Sequence, residues 1–309
     1  YQRAGRILAP RIYSTAEIVY GAKSTGYDPI ETLDDALAVV RRLKAQGAIS
    51  IKNYNQPRRD QRQMVVEASR QMGMLVVAEG GSLYQQDMNL IVDGSTGIEH
   101  NIPALRLYDD VLDLWEQTDV GYTPTLVVTY GGLTAEDYFY QTDEVWKHPL
   151  LSRFVPSTVL QPRSVRRVSA PEEDYRDDDA AAAAKLLLER GVNVNTGAHG
   201  QREGLATHWE IWSFARGGMS PMQSLATATI HPAQYLGMAA DVGSVEAGKL
   251  ADLQILDANP LDDIRSTDKI SEIMLNGRLY KAATLQEDIT GDATLQPLWW
   301  QSLPQSSIR

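Results

Sequence analysis

The chain contains no cysteine. That excludes disulfides, thiolate-bound zinc and thiol nucleophiles. It does not choose a compartment, because a secreted protein can lack disulfides. Positive charge is in short supply: 29 Lys and Arg against 40 Asp and Glu leave a formal net charge of −11, with no basic run or basic–aromatic stripe. Nucleic acid is therefore not an expected partner. The apolar stretches all fall well short of the roughly 20 residues that a membrane span needs. Histidine is rare, five in 309 residues, and none precedes His100. The hydrophobic content of 43% is enough for one large core, or for a large domain beside a small one.

The chain opens at Tyr1-Gln2-Arg3, without a methionine or a signal peptide. It reads as a piece of a longer polypeptide, the alternative being a mature N-terminus left by a protease. A strand is expected almost at once, over Arg6-Ile7-Leu8-Ala9 and on to about residue 13.

Several short β-prone runs lead into residues suited to a metal site. Ala48-Ile49-Ser50-Ile51 runs into Lys52, Met74-Leu75-Val76-Val77-Ala78 into Glu79, and Gly97-Ile98-Glu99 into His100. Val192-Asn193-Val194-Asn195 leads through Thr196-Gly197-Ala198 to His199. Helix-like sequence separates the runs. Helices are expected over 29–46, with Leu33, Leu37, Val40 and Leu43 on one face, over 57–72, near 83–92, and over 104–118, with Leu105, Tyr108, Leu112 and Trp115 on one side. A fifth strand is expected from Tyr122 to Val128. Repeated β–α alternation signals a parallel sheet with covering helices. Polar residues at the C-terminal ends of its strands converge on one face, as in an α/β barrel.

Residues 130–175 interrupt that rhythm with Tyr, Trp, Pro and Arg in no clean period; so long an insertion is more often functional than idle. Helices return at 177–190, 204–217 and 220–236, the last opened by Ser220-Pro221. After Gly237 the texture becomes β-rich. Ile273-Met274-Leu275, Asn276-Gly277 and Arg278-Leu279-Tyr280 spell a hairpin, since Asn-Gly suits its tight turn.

Two neighbouring segments carry a family likeness. Leu225-Ala226-Thr227-Ala228-Thr229-Ile230-His231-Pro232-Ala233-Gln234-Tyr235-Leu236-Gly237 is followed by Val242-Gly243-Ser244-Val245-Glu246-Ala247-Gly248-Lys249-Leu250-Ala251-Asp252-Leu253. The pair resembles the C-terminal part of the metal-dependent amidohydrolase superfamily, in particular its imidazolonepropionase and prolidase-like branch. The resemblance extends from about residue 6 to residue 281. It implies an α/β fold: an incomplete (β/α)8 TIM-like barrel over 1–236, holding strands 3 to 8 of the family pattern, and part of a small β-sandwich with a tail over 237–309. The His-X-His pair of the family's first strand is absent, so two barrel strands and the leading half of the sandwich are expected to be missing from the front. The Gly197-Ala198-His199-Gly200-Gln201 ending resembles amidohydrolase domains that follow a TolB-like β-propeller, which implies a periplasmic or secreted setting; a cytoplasmic one stays open.

The resemblance also implies roles. Lys52 falls where the family has a lysine, often carboxylated, that bridges two metals. Glu79 falls where a metal-binding His is usual, and His100 matches the second such His. His199 falls where an Asp usually binds metal and moves a proton. The implied cofactor is a divalent metal, zinc first, with manganese or iron as alternatives. Each role has a plain alternative. Lys52 and Glu79 can be a simple ion pair, and His199 can be a ligand, an acid–base group or a capping residue. Glu79 can also be the base that holds the nucleophilic water. Tyr130 and Arg58 are candidate substrate contacts, the latter for a carboxylate. His208 is a candidate at the edge of the pocket or a packing group. His231 is expected at a helix start and His148 in solvent. The expected function is hydrolysis of an amide, cyclic amide or peptide bond by metal-activated water. The other reading is a catalytically degenerate relative, or one part of a split or processed enzyme that needs the missing N-terminal segment or propeller domain. Expected partners are a small-molecule or peptide substrate and further copies of the chain in a homo-oligomer.

Overall fold

A computed structural model of the chain describes residues 1–22, 26–104, 106–291 and 295–302. Five short strands form one sheet: β1 (Val19–Tyr20), β2 (Ser50–Tyr54), β3 (Leu75–Glu79), β4 (Gly97–Glu99) and β5 (Gly121–Thr123). They lie in sequence order and every pair is parallel. Val194 adds a single parallel bridge to Tyr122, so the fourth run of the sequence reading joins the sheet edge as one bridge rather than as a strand. The sheet does not close into a barrel among the described residues.

The helices between strands cover one face. They are α1 (Leu33–Ala45), α2 (Arg59–Gln71), α3 (Tyr84–Val92) and α4 (Asp109–Glu116). Thr32 rather than Pro29 starts α1: its side chain accepts from the Asp35 amide while Asp35 reaches back, a capping box that satisfies amides otherwise left free. Leu105, expected on the buried side of the fourth helix, lies outside the described residues.

Alternation along the strands separates two faces. Ile51, Asn53, Val76, Ala78 and Ile98 are buried under the helices. Lys52, Tyr54, Leu75 and Val77 point the other way and are half-exposed, and Glu99 points the same way with its carboxyl group enclosed. In one core α1 and α2 pack Val40, Leu43 and Val65 onto Ile51 and Val76. In another, α3, α4 and α8 (Asp177–Glu189) enclose Ile98, Trp115, Tyr122 and Val194.

The insertion after Tyr130 folds into α5 (Ala135–Thr142), α6 (Pro149–Phe154) and α7 (Ser157–Val165). It docks on α9 (Ala206–Arg216), where the Phe139 and Trp209 rings stack at 5.5 Å. His148 is not in solvent as expected. It caps α6 by accepting from the Leu151 amide at 3.3 Å, and its ring stands 3.5 Å from Asp268.

The helix expected over 220–236 is two, α10 (Pro221–Ala226) and α11 (Ile230–Tyr235), because Thr229 leaves helical geometry at φ −130°, ψ −90°. α11 closes the floor of the sheet. A Cβ on Gly97 would sit 2.0 Å from the Tyr235 hydroxyl, and one on Gly121 would sit 2.7 Å from the same ring. The two glycines are register partners across β4 and β5, so their bare backbone makes room for Tyr235. His231 ties this helix to Val194, its Nδ1 lying 3.2 Å from the carbonyl oxygen.

The β-rich end is a three-stranded antiparallel sheet, β6 (Leu253–Leu256), β7 (Ile270–Leu275) and β8 (Arg278–Lys281). Asn276 and Gly277 turn the hairpin with φ of +50° and +76°, the left-handed pair that a tight hairpin requires. The strand expected near residues 7–13 is not formed. Ile7, Leu8, Ile12 and Tyr13 are exposed, and Arg11 instead pairs with Asp252 and donates to Asn276 Oδ1 at 2.5 Å. That ion pair draws the segment to the small sheet. The strand expected over 122–128 ends at Thr123, because Pro124 and a left-handed Thr125 turn the chain into a 3-10 helix, Leu126–Val128.

Candidate active site

The C-terminal edge of the parallel sheet gathers the candidate residues. Lys52 and Val77 are register partners, so Lys52 shares a face with Glu79 two residues further along β3. Lys52 lies inside β2 rather than at its end, and its ammonium contacts Glu79 Oε2. The other Glu79 oxygen lies 2.9 Å from His100 Nε2. His100 is 3% exposed, and its Nδ1 lies 2.6 Å from Thr125 Oγ1. A carboxylate can only accept, so the Nε2–Glu79 contact puts a proton on Nε2. Two further rings border His100: Tyr130 at 5.0 Å between centroids and His199 at 4.9 Å.

The backbone here is unusual. His100, Thr125 and His199 have φ of +76°, +50° and +51°, a region that side-chain-bearing residues rarely enter and β-branched ones least of all. All three follow strand ends or, for His199, the Val194 bridge. Strain of this kind concentrates where structure is over-determined around function. Gly197 permits the last of these turns, since a Cβ there would lie 2.5 Å from the Thr123 methyl and 2.9 Å from that of Thr125.

Charge is sorted sharply within the cluster. Burial opposes ionisation of Glu79, but His100 and Lys52 outweigh it and hold its pKa below the ordinary carboxylate range. Its register partner Glu99 is pushed by burial to about 7, against a hydrogen bond from Thr123 and the charge of Lys52. Asp87, fully buried behind the site, is raised by burial to about 7, against the Gly81 amide that donates to it at 2.8 Å.

These shifts set a pH dependence. Asp87 and Glu99, each raised by burial to about 7, bind protons in the folded state that the unfolded chain has already released. Their contribution is fully present below the unfolded carboxylate range and is lost as pH rises through the folded values. Glu79 acts oppositely: its contribution is present above the unfolded value and is lost as pH falls through its lowered one. The melting temperature should therefore fall between about pH 5.5 and pH 8.5, and Asp87→Asn should flatten the slope. Thermal scans across that range check this; a melting temperature that rises with pH would contradict it.

Other candidates do not join the cluster. His208 is buried on α9, 6.3 Å from the Trp212 ring, and burial lowers its pKa, with Asp268 opposing and His148 adding. It belongs to the packing between α9 and the insertion, not to the pocket edge. Arg58 is exposed and held by Glu31 and Asp60. It does border a cavity of about 530 Å³ with Tyr20, Tyr27 and Ile30. Thr125 and Glu210 were not singled out from the sequence. For Glu210 a signal existed: one acidic residue among Trp209, Ile211, Trp212 and Phe214, all buried.

The donor chemistry fits a divalent ion in part. A carboxylate oxygen and an imidazole nitrogen converge at Glu79 and His100, and Lys52 would add oxygens only as a carbamate. Among the described residues no third His, Asp or Glu completes a group of three. The His199 ring faces His100 edge-on, while its Nδ1 lies 3.3 Å from Gln201 Oε1.

The imidazolonepropionase of Symbiobacterium thermophilum is 56% identical over 145 residues, covering 46% of this chain and 32% of that protein. That of Shouchella clausii is 36% identical over 93 residues, 26% of this chain and 21% of that protein. The chain thus spans about a third or less of these relatives. Among solved structures, a Xaa-Pro dipeptidase with bound methionine superposes with a TM-score of 0.65 at 22% identity, over 90% of this chain and 70% of that one. The bottromycin amidohydrolase gives 0.65 at 19% identity, over 91% and 67%. At these identities the likeness is one of fold. The model of the amidohydrolase family matches residues 60–280, most of the chain and all the strand ends from Glu79 onward, and the chain belongs to that family.

Proposed function

We propose that this chain carries part of the active site of a metal-dependent hydrolase that opens an amide, cyclic amide or peptide bond with metal-activated water. The contact run Lys52–Glu79–His100 across three neighbouring parallel strands is the observation that carries the reading. Family membership and the prolidase-like neighbours support it.

The ion, zinc or else manganese or iron, would be held by Glu79 and by His100 through Nε2, with His199 and a carboxylated Lys52 as further ligands. When bound, such an ion lowers the pKa of water and polarises the scissile carbonyl. The protein's own groups do the rest. Glu79, kept ionised by its contact with His100, can accept a proton from the attacking water. His199, exposed and with its ring against that of His100, is placed to pass a proton to the leaving nitrogen. Tyr130 lays its ring beside that of His100, where it can meet a bound substrate. Arg58, at the rim of the tyrosine-lined cavity, is placed to meet a substrate carboxylate once it leaves Glu31. The periplasmic or secreted setting and the homo-oligomer belong to this same reading.

Loaded with zinc or manganese, the protein should hydrolyse members of a panel of Xaa-Pro dipeptides, N-acyl amino acids and cyclic amides, and a chelator should stop it. No turnover with either ion on any member would contradict the proposal. One observation favours a second reading, a degenerate relative or one part of a split enzyme: no third ligand joins Glu79 and His100 among the described residues. A split enzyme would turn over only with a second polypeptide that completes the ligands, and a degenerate relative not at all.

Lys52 offers a separate check. If it is carboxylated, bicarbonate present during ion loading should raise activity, and Lys52→Ala should lose the ion. Unchanged ion content in that variant would leave Lys52 as the simple partner of Glu79.

A further inference from the structure

Glu210 is fully buried on α9, yet it contacts neither the Lys52–Glu79–His100 run nor any group the mechanism uses directly. Its partners are backbone amides. One carboxylate oxygen accepts from Leu126 at 2.8 Å and the other from Val127 at 3.0 Å, and the Gly197 amide faces the same carboxylate. Leu126 and Val127 open the 3-10 helix after β5, where the first amides have no partner within the helix. The residue before them is Thr125, held at a left-handed φ that a β-branched side chain disfavours. Something must fix that turn, and the carboxylate does so from behind. The turn in turn sets Thr125 Oγ1 against His100 Nδ1. Gly197, the third amide, begins the loop that ends in His199.

We propose that Glu210 is a positioning residue of the active site: from one buried carboxylate it fixes His100 through Thr125 and the His199 loop through Gly197. The proposal rests on the active-site reading above. It also explains why a lone acidic residue sits in the most apolar stretch of α9. Thr125 at Nδ1 and Glu79 at Nε2 together fix the orientation of the His100 ring and the place of its proton, and partners of this kind are worth roughly 10–100-fold in metal affinity or activity.

The test uses protein with 15N-labelled histidine, with the His100 signals assigned by their loss in His100→Ala. Glu210→Gln keeps the shape but turns an NH2 toward backbone donors. Thr125→Val removes the hydroxyl alone. Glu210→Asp is the conservative variant. Both Glu210→Gln and Thr125→Val should move the two His100 ring-nitrogen shifts in the same sense, weaken zinc binding roughly 10–100-fold, and lower kcat with little change in KM. Glu210→Asp should lie between them and the unaltered protein. Unmoved His100 shifts in folded Glu210→Gln would overturn the proposal. If Glu210→Gln does not fold, Thr125→Val decides, and unmoved His100 shifts there overturn it equally. The nitrogen shifts need no turnover, so a protein inactive on every amide would sink the hydrolase reading and still leave this test decisive.

Discussion

Replacing His100 with alanine is expected to empty the site of its divalent ion and to lower turnover by roughly 100-fold or more, the scale on which a group engaged in catalysis is lost. His100 holds the centre of the cluster: Nε2 meets Glu79, Nδ1 meets Thr125, and the Tyr130 and His199 rings lie against it. No other residue of the cluster touches so many of its members. The change also leaves Glu79 Oε1 without its partner in a nearly buried position, which costs about 1–3 kcal/mol of stability. Ion content after dialysis against zinc, read beside kcat/KM, measures the first effect; thermal unfolding measures the second. Ion content and turnover equal to the unaltered protein would remove His100 from the site.

The second large effect is expected at His199. Its loss should lower turnover by roughly 100-fold or more while ion content falls far less, if its task is proton transfer. Its backbone conformation must be kept apart from its chemistry. At φ +51°, alanine is strained, whereas asparagine and aspartate tolerate the left-handed region. His199→Asn therefore removes the proton carrier without the strain, and His199→Asp restores a titrating group. Asn should be as poor as Ala, and Asp should recover part of the rate. Wild-type turnover in both His199→Ala and His199→Asn would make it a structural histidine.

The parallel sheet was legible because its strands are short apolar runs between amphipathic helices, and β2, β3 and β4 lie within two residues of their expected positions. The gathering of Lys52, Glu79 and His100 was legible for the same reason: consecutive parallel strands bring their C-terminal ends to one edge. The first expected strand failed because an apolar pattern says nothing of its partner. Ile7, Leu8 and Ile12 read as a strand, but Arg11 finds Asp252 some 240 residues away. The fifth strand was overextended past Pro124, which removes a ladder amide and restricts the residue before it. The insertion hid three helices because each is short and none has a long apolar face: α5 starts on Thr134 with Asp137, α6 on Pro149 after His148, and α7 has no side-chain cap. Thr125 was out of reach for a different reason, and for Glu210 the sequence marked an oddity among apolar neighbours but not its task. Their importance lies in hydrogen bonds, from Thr125 to the His100 ring and from the Leu126 amide to Glu210, across 25 and 84 residues of sequence, and no local pattern encodes those partners.

The central claim is that Glu79 and His100 form the ion-binding face of a hydrolase site. Diffraction from crystals grown with zinc, collected at the zinc absorption edge, tests it most directly. The account predicts an anomalous peak about 2.0–2.2 Å from both His100 Nε2 and a Glu79 oxygen, with the direct contact between those two atoms opened to admit the ion. A zinc-saturated crystal with no peak there, and with Lys52, Glu79 and His100 still in mutual contact, would contradict it.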